Sequence, residues 1–287
     1  MPPFLASYFA GMDMKRIYSI ALTNFDIVWS FDPYRFQCLK IFGAAVNIYF
    51  SADWHVATKL QNRIVANADI VFCPSRALLS FIKTGTPAYF LSHAVSEYFF
   101  TDAVVTNVPG KNQVKVGYVG NLQSKFLHFS LLKNVIQENR TCDFLFVGDD
   151  SSGEIQSLMK FENVYFFGKI SNEKVPSFLN ACDILLLCYD TENYGVEASN
   201  SHKIMEYLAS GRSVISTRVR EYEDQPELIL MPDANSGLPA LLQKVALELS
   251  HFNSIVMQER RKHFARKHTY PSQLERVDNL INEFMLN

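Results

Sequence analysis

Short apolar runs alternate with amphipathic segments over most of the chain, and this alternation predicts parallel β-strands covered by helices. In the first half, the apolar runs occupy residues 26–31, 47–51, 70–74 and 88–92. In the second half, they occupy residues 114–120, 144–148, 164–168, 184–189 and 214–217. Helical patterns lie before, between and after them, at residues 13–24, 55–66, 76–84, 127–138, 173–180, 201–210, 237–250 and 254–285. The pattern therefore predicts an α/β protein.

A turn-rich stretch at residues 101–113, which includes Asn-Val-Pro-Gly-Lys-Asn, separates two halves with the same rhythm. At 287 residues the chain is long enough for two α/β domains, each with its own core. The sequence therefore predicts two Rossmann-like domains joined by a linker.

The composition limits the classes of function. Apolar residues make up 48% of the chain and charged residues 20%, as in soluble globular proteins, and no apolar run is long enough to span a membrane. The formal net charge of −2 argues against a nucleic-acid-binding protein. The five cysteines form no Cys-x-x-Cys motif, so we expect free thiols and a cytoplasmic location.

The helical pattern at residues 201–210 carries the most chemical information. Ser and Asn residues precede it and are expected to cap its start, and Gly211 is expected to end it in a left-handed conformation. With side chains spaced at helical periodicity, one face is apolar and consists of Ile204, Met205, Leu208 and Ala209. The other face is polar and consists of Lys203, Glu206, Tyr207 and Ser210.

Two residues on the polar face suit a nucleoside diphosphate. The N-terminus of a helix favours anions, and Lys203 in the first turn adds a positive charge there that is unfavourable unless an anion compensates it. Glu206, one turn later, is able to accept hydrogen bonds from two sugar hydroxyls. The alternative is an ordinary amphipathic helix with a solvated lysine and glutamate.

The sequence Lys203-Ile-Met-Glu206-Tyr-Leu-Ala-Ser-Gly211, with a strand after it, resembles the donor-binding helix of retaining GT-B nucleotide-sugar glycosyltransferases of glycosyltransferase family 4. The resemblance implies that Lys203 contacts the donor phosphates and Glu206 the ribose, and both are predicted as catalytic residues. It also implies two domains facing a cleft, at residues 1–110 and 111–253, with a helical segment at 254–287 crossing back to the first domain.

Further motifs follow the family's order. Residues 116–121 resemble the glycine turn beneath the donor phosphates, 163–170 the strand and loop that hold the base through backbone groups, and 190–200 the sugar-facing loop. The resemblance therefore implies a donor site whose members are Gly120, Asn121, Gly148, Lys169, Ile170, Ser201, His202, Lys203 and Glu206. For His202, helix capping is the alternative to a phosphate contact.

The chain departs from the family pattern at three places. Ala198 stands where many members have the first of two glutamates, and Asn121 where an arginine often grips the diphosphate. Lys125 is an alternative source of that charge, or a solvated loop residue. The first half has room for about four strands, so an opening strand-helix-strand is expected to be absent and the N-terminal domain incomplete.

The predicted chemistry needs neither a metal nor a cofactor. No Asp-x-Asp motif occurs, and the pair Asp149-Asp150 follows a glycine, which favours turn chemistry over a metal site. Lys203 and the helix start are expected to stabilise the leaving diphosphate. The resemblance implies retention of anomeric configuration.

Asp53, His55 and His93 are candidates for the acceptor side. Asp53 and His55 follow an apolar run, so they are expected at the carboxyl edge of the first sheet, although Asp53 also suits a helix cap. For His93, the alternative is a structural histidine. A basic run at residues 260–268 is either a solvated helix face or a contact with anionic lipid at the inner face of the membrane.

The leading hypothesis is a glycosyltransferase that moves a sugar from a UDP- or GDP-sugar to a glycan or lipid-linked acceptor in cell-surface polysaccharide biosynthesis. Ala198, Asn121 and the short first half leave open a degenerate nucleotide-sugar-binding protein or inactive subunit. A GT-B nucleotide-sugar epimerase is a second alternative, although no acidic base for it is evident.

Overall fold

The computed structural model describes residues 12–13, 15–17, 19, 25–52, 58–82, 85–104, 108–195, 198 and 200–286. It divides the chain into two compact units. The first contains Met1–Ser92 and Glu275–Asn287, and the second contains His93–Leu274. Asp53 and His55 lie outside the described residues, as does most of the helix predicted at 13–24.

A four-stranded parallel sheet organises the first unit. Its strands, in spatial order, are β1 (Ile27–Ser30), β2 (Val46–Phe50), β3 (Ile70–Cys73) and β4 (Ala88–Phe90). Helix α1 (Thr58–Asn67) connects β2 to β3, and the short helix α2 (Arg76–Leu79) connects β3 to β4. A 3-10 helix (Leu39–Phe42) precedes β2.

Both faces of this sheet are covered, because adjacent strand residues point to opposite sides. Ile48 and Ile70 pack with Val277 and Ile281 of the last helix, α9 (Tyr270–Leu286). On the other face, Tyr49 and Val71 pack with Leu39, Ile64 and Val65. The continuous apolar runs of β2 and β3 are thus those of buried parallel strands.

A six-stranded parallel sheet organises the second unit, in the order β10-β9-β8-β5-β6-β7. The strands are β5 (Val114–Asn121), β6 (Cys142–Asp149), β7 (Val164–Phe166), β8 (Ile184–Leu187), β9 (Ser213–Ser216) and β10 (Ile229–Leu230). The helices are α3 (Phe129–Glu138), α4 (Val175–Asn180), α5 (His202–Ser210), α6 (Leu238–Leu247), α7 (Leu249–Phe252) and α8 (Ile255–Arg266). Shorter 3-10 helices lie at Glu97–Phe99, Gln156–Leu158, Asn172–Lys174, Arg220–Tyr222 and Asn235–Gly237.

The predicted fold class is confirmed, since both sheets are parallel and carry helices between their strands. The division of the chain into compact units falls after Ser92, whereas the sequence predicts a domain boundary at residue 110. The backbone N–H of Val95 donates to His268 O at 2.9 Å, and Asn180 Nδ2 donates to Thr101 O at 2.6 Å. These contacts attach residues before 110 to the second unit.

The long helix predicted at 254–285 is two helices. Helix α8 ends at Arg266, and α9 begins at Tyr270, where the Thr269 hydroxyl accepts a hydrogen bond from the N–H of Ser272 at 3.4 Å. Only residues from Glu275 onward join the first unit, so α8 belongs to the second. In the described part of the chain, every helix is too short or too polar to cross a bilayer.

Candidate functional site

Helix α5 sits between β8 and β9 and presents its predicted apolar face to the core. Ile204, Met205, Leu208 and Ala209 are buried, and Gly211 ends the helix with a φ of 77°. Tyr207, expected on the polar face, is also fully buried. Its hydroxyl accepts a hydrogen bond from the N–H of Val119 at 3.1 Å, so a partner in β5 compensates for burial of the phenol.

The start of α5 differs from the prediction. Ser201 occupies the N-cap position with extended backbone angles, but its side chain accepts no hydrogen bond from the helix. Its Oγ lies 3.5 Å from the Tyr189 hydroxyl instead. The N–H of Ile204 donates to Ser201 O at 3.0 Å. The start of the helix therefore has no cap from the Ser201 side chain, and its dipole remains suited to an anion.

Lys203 extends from the first turn of α5 to the end of β5. Its Nζ donates a hydrogen bond to the Tyr189 hydroxyl at 3.0 Å and lies 5.7 Å from the centre of that ring. A Cβ on Gly120 would overlap Lys203 Cε, so the lysine stem lies directly against the glycine. Within the described ranges, Lys203 forms no salt bridge. Among the described residues, its ammonium group is therefore not in direct contact with a carboxylate.

The glycines at the ends of β5 and β6 lie side by side. Gly120 and Gly148 are paired in register and have φ values of 151° and 150°, which favour glycine. A Cβ on Gly148 would overlap the carbonyl oxygen of Gly120. The side chain of Asn121 accepts a hydrogen bond from the N–H of Gln123 at 3.1 Å, and it thereby supports its own turn.

Lys169 and Asp149 form an ion pair beside these glycines, with 2.8 Å between Nζ and Oδ2. The hydrogen bond from Lys169 is the main cause of the lowered pKa of Asp149. Asp150 makes turn hydrogen bonds, as predicted, because its carboxylate accepts the N–H groups of Ile155 at 3.2 Å and Gln156 at 3.0 Å. Ile170, next to Lys169, is half-buried.

Glu206 lies half-buried one turn after Lys203. Among the described residues, no hydrogen bond or salt bridge to its carboxylate is present. Burial raises the pKa of Glu206 to about 7, although the positive charge of Lys203 acts in the opposite direction. The carboxyl group is therefore divided between its two protonation states near neutral pH.

This pKa leads to a pH-dependent prediction for nucleosides. If ionised Glu206 accepts the ribose hydroxyls, the affinity for uridine or guanosine falls about tenfold from pH 8 to pH 6, because the ionised fraction falls by that factor. Calorimetry with nucleosides measures this effect without the titration of a phosphate group. Glu206→Gln is the control and should bind weakly at both pH values, and equal affinities of the parent chain at the two would contradict the ribose role.

His93 and His202 are brought together in the second unit. Their rings are 6.2 Å apart in an edge-to-face arrangement. His202 is exposed to solvent, but the protein atoms around its imidazole partly desolvate it. This desolvation is the main cause of a pKa that is lowered to about 4, and the charges of Lys203 and His93 lower it further. His202 is thus neutral at pH 7 and its imidazole is able to donate one hydrogen bond.

Ala198 and Lys125 are two residues that bear on the departures of the chain from the family pattern. Ala198 is buried, as an apolar side chain would be. The ammonium group of Lys125 lies 4.9 Å from the centre of the Phe126 ring and 5.2 Å from that of Tyr194. Lys125, the alternative source of positive charge for the diphosphate, therefore lies next to two aromatic rings.

The arginines of the basic run at 260–268 contact other residues of the chain. Arg260 pairs with Glu227 at 2.6 Å, and Arg266 lies near Glu259 and over the Phe100 ring. Arg261 is fully buried, and its guanidinium donates to Gly211 O at 3.1 Å, at the end of α5. These contacts favour a structural role over a lipid-binding one.

The sequence did not single out Tyr118, Tyr189 or Tyr207, whose hydroxyls approach the donor-site residues. Tyr118 and Tyr207 are buried, and burial raises the pKa of both well above its usual value. One signal was available in the sequence, because Tyr189 is the last residue of the apolar run at 184–189 and follows the end of β8 by two positions. Residues at that position lie at the carboxyl edge of a parallel sheet, where ligands bind.

Comparison with known proteins agrees with this geometry. Residues 113–246 match the family model described as Glycosyl transferases group 1. The matched residues lie within the second unit, which is therefore similar to this family over that range. The match includes β5 to β9 and all of α5.

A relative from Bacillus subtilis (strain 168), TuaH, is provisionally named a teichuronic acid biosynthesis glycosyltransferase and is 24% identical over 208 residues. That alignment covers 67% of this chain and 52% of TuaH, so the chain spans about half the length of this curated relative.

Solved structures show the fold. Sucrose-phosphate synthase from Thermosynechococcus elongatus has a TM-score of 0.76 at 13% identity, over 100% of this chain and 80% of the other. Anabaena Alr3699/HepE in complex with UDP has a TM-score of 0.69 at 13% identity, over 97% and 82%. These likenesses identify the α/β fold of GT-B glycosyltransferases.

Proposed function

We propose that this protein transfers a sugar from a nucleoside-diphosphate sugar to a glycan or lipid-linked acceptor in the biosynthesis of a cell-surface polysaccharide. The main observation is the position of Lys203, whose charge lies in the first turn of α5 beside Gly120 without a salt bridge among the described residues. The match of residues 113–246 to the group 1 glycosyltransferase family and the name of TuaH support the reaction class and the polysaccharide product.

In this proposal the donor diphosphate binds at the start of α5. Lys203 and the uncapped N–H groups contact the phosphates, with the neutral His202 as a further donor. Gly120 and Gly148 allow close approach to the ends of β5 and β6, and Glu206 binds the ribose hydroxyls. Backbone groups near Lys169 and Ile170 contact the base, and UDP is the favoured nucleotide because Alr3699/HepE was solved with UDP and with UDP-glucose.

The chemical demand is to stabilise negative charge on the departing diphosphate as its bond to the sugar breaks. Lys203 and the α5 dipole supply positive charge at that point. We propose that transfer needs no metal ion, because Asp149 is paired with Lys169 and Asp150 is occupied by turn hydrogen bonds. By family resemblance, we further propose retention of the anomeric configuration, and we propose that the protein acts in the cytoplasm.

A nucleotide-sugar-binding protein without transferase activity is the second candidate. It is favoured by buried Ala198 in place of a glutamate and by Asn121, whose side chain supports its own turn. The two candidates differ in turnover, because only an enzyme consumes the donor. Release of UDP or GDP from the sugar conjugates, with and without lipid-linked acceptors, separates them.

A ligand screen of the purified chain tests the donor site. Thermal shift and calorimetry with UDP, GDP, ADP and their sugar conjugates should give a selective shift that EDTA leaves unchanged. A shift that disappears with EDTA would contradict metal independence. If none of the nucleotides binds, the donor-site proposal is wrong.

A further inference from the structure

We propose that Tyr189 is a positioning residue for Lys203, holding its ammonium group over the glycine turn where the donor diphosphate binds. This inference rests on the proposed function. It assigns a role to a tyrosine that the sequence patterns did not identify.

Lys203 needs such a partner because its side chain is long and flexible. A lysine carries up to about 2 kcal/mol of rotamer entropy, and a free side chain in the first turn of a helix would sample many positions. Two contacts restrict it here. Gly120 lies against Cε, and the Tyr189 hydroxyl accepts a hydrogen bond from Nζ at 3.0 Å.

Tyr189 is itself firmly held. It is buried, and its N–H donates to the Thr217 hydroxyl at 3.0 Å. An isolated bridge joins its backbone to Leu127, and its hydroxyl lies 3.5 Å from Ser201 Oγ at the start of α5. The phenol therefore offers Lys203 a fixed acceptor that belongs to the sheet rather than to the helix.

A neutral acceptor also suits an anionic ligand. A carboxylate in the same place would neutralise Lys203 and repel the diphosphate, whereas a hydroxyl accepts one hydrogen bond and leaves two N–H groups of the ammonium free. The neighbouring phenols of Tyr118 and Tyr207 keep their protons because burial disfavours their ionised forms. The Tyr189 hydroxyl thus holds the lysine through a hydrogen bond and not through an opposite charge.

A double-mutant cycle tests the assignment. Tyr189→Phe keeps the ring and removes the hydroxyl, and it should weaken UDP binding roughly five- to tenfold while leaving uridine binding unchanged. In a Lys203→Met background, Tyr189→Phe should have no further effect on UDP. Tyr89→Phe is a matched control and should bind UDP like the parent, because Tyr89 lies in β4 of the first unit, where its ring packs against Phe72.

Calorimetry at constant pH measures the four variants, and thermal melting confirms that each is folded. Equal weakening by Tyr189→Phe with and without Lys203 would overturn the positioning role, as would unchanged UDP binding by the single variant. If the parent chain binds neither uridine nor any diphosphate, the proposed function fails and this assignment fails with it. If the parent binds UDP and Tyr189→Phe binds it equally well, only the positioning role of Tyr189 is refuted.

Discussion

Lys203→Met is expected to weaken the binding of UDP or GDP by one to two orders of magnitude. Its effect on uridine or guanosine should be much smaller and should come only through the pKa of Glu206, which the charge of Lys203 lowers. Methionine keeps an unbranched stem against Gly120 but removes the charge and the hydrogen-bond donors. A hydrogen bond between charged groups contributes about 1.5–3 kcal/mol, and each 1.4 kcal/mol is tenfold in affinity. Because Lys203 forms no salt bridge among the described residues, its removal breaks no ion pair there.

Isothermal calorimetry with the nucleoside and the nucleotide gives the result directly. Lys244→Met is the matched control, since Lys244 is exposed on α6 and its substitution changes the net charge by the same amount. The rate of donor turnover should fall together with nucleotide affinity in Lys203→Met. Parent-like UDP binding by that variant would show that the phosphates bind elsewhere.

Alanine at the two adjacent glycines is expected to have different effects. In Gly148→Ala, the new Cβ meets the backbone oxygen of Gly120, which belongs to the neighbouring strand and is not free to move. Together with a φ of 150°, this overlap is expected to cost about 3 kcal/mol or more in the free energy of unfolding. In Gly120→Ala, the Cβ meets Cε of Lys203, and a flexible side chain is able to move away.

Gly120→Ala should therefore fold with a smaller loss of stability, from backbone strain alone, and bind UDP as poorly as Lys203→Met. Urea denaturation and calorimetry separate the two outcomes. Gly153→Ala is the control for strain without overlap, because Gly153 has a φ of 75° and open space around its Cα. If Gly148→Ala were as stable as Gly153→Ala, the overlap between β5 and β6 would make no contribution to the loss in the free energy of unfolding.

The α/β class and the face of α5 that packs into the sheet were predictable from the sequence. Both follow from local periodicity: buried strands produce continuous apolar runs, and a helix with one buried face repeats Ile204, Met205 and Leu208 on that face. The end of α5 at Gly211 was equally predictable, because the residue after the last helical turn needs a left-handed backbone, which glycine adopts. The positions of Lys203 and Glu206 on α5 follow from the same periodicity.

Other features depend on contacts between residues far apart in sequence. Tyr207 is buried because Val119, 88 residues earlier, supplies its hydrogen bond. The division at Ser92 depends on bonds such as that from Val95 to His268. Tyr189 reaches Lys203 because β8, β5 and the start of α5 meet at one edge of the sheet. A local sequence pattern does not indicate which distant residue will be the partner. The partner depends on the fold, because a hydrogen bond contributes only when the fold brings its two groups within hydrogen-bonding distance.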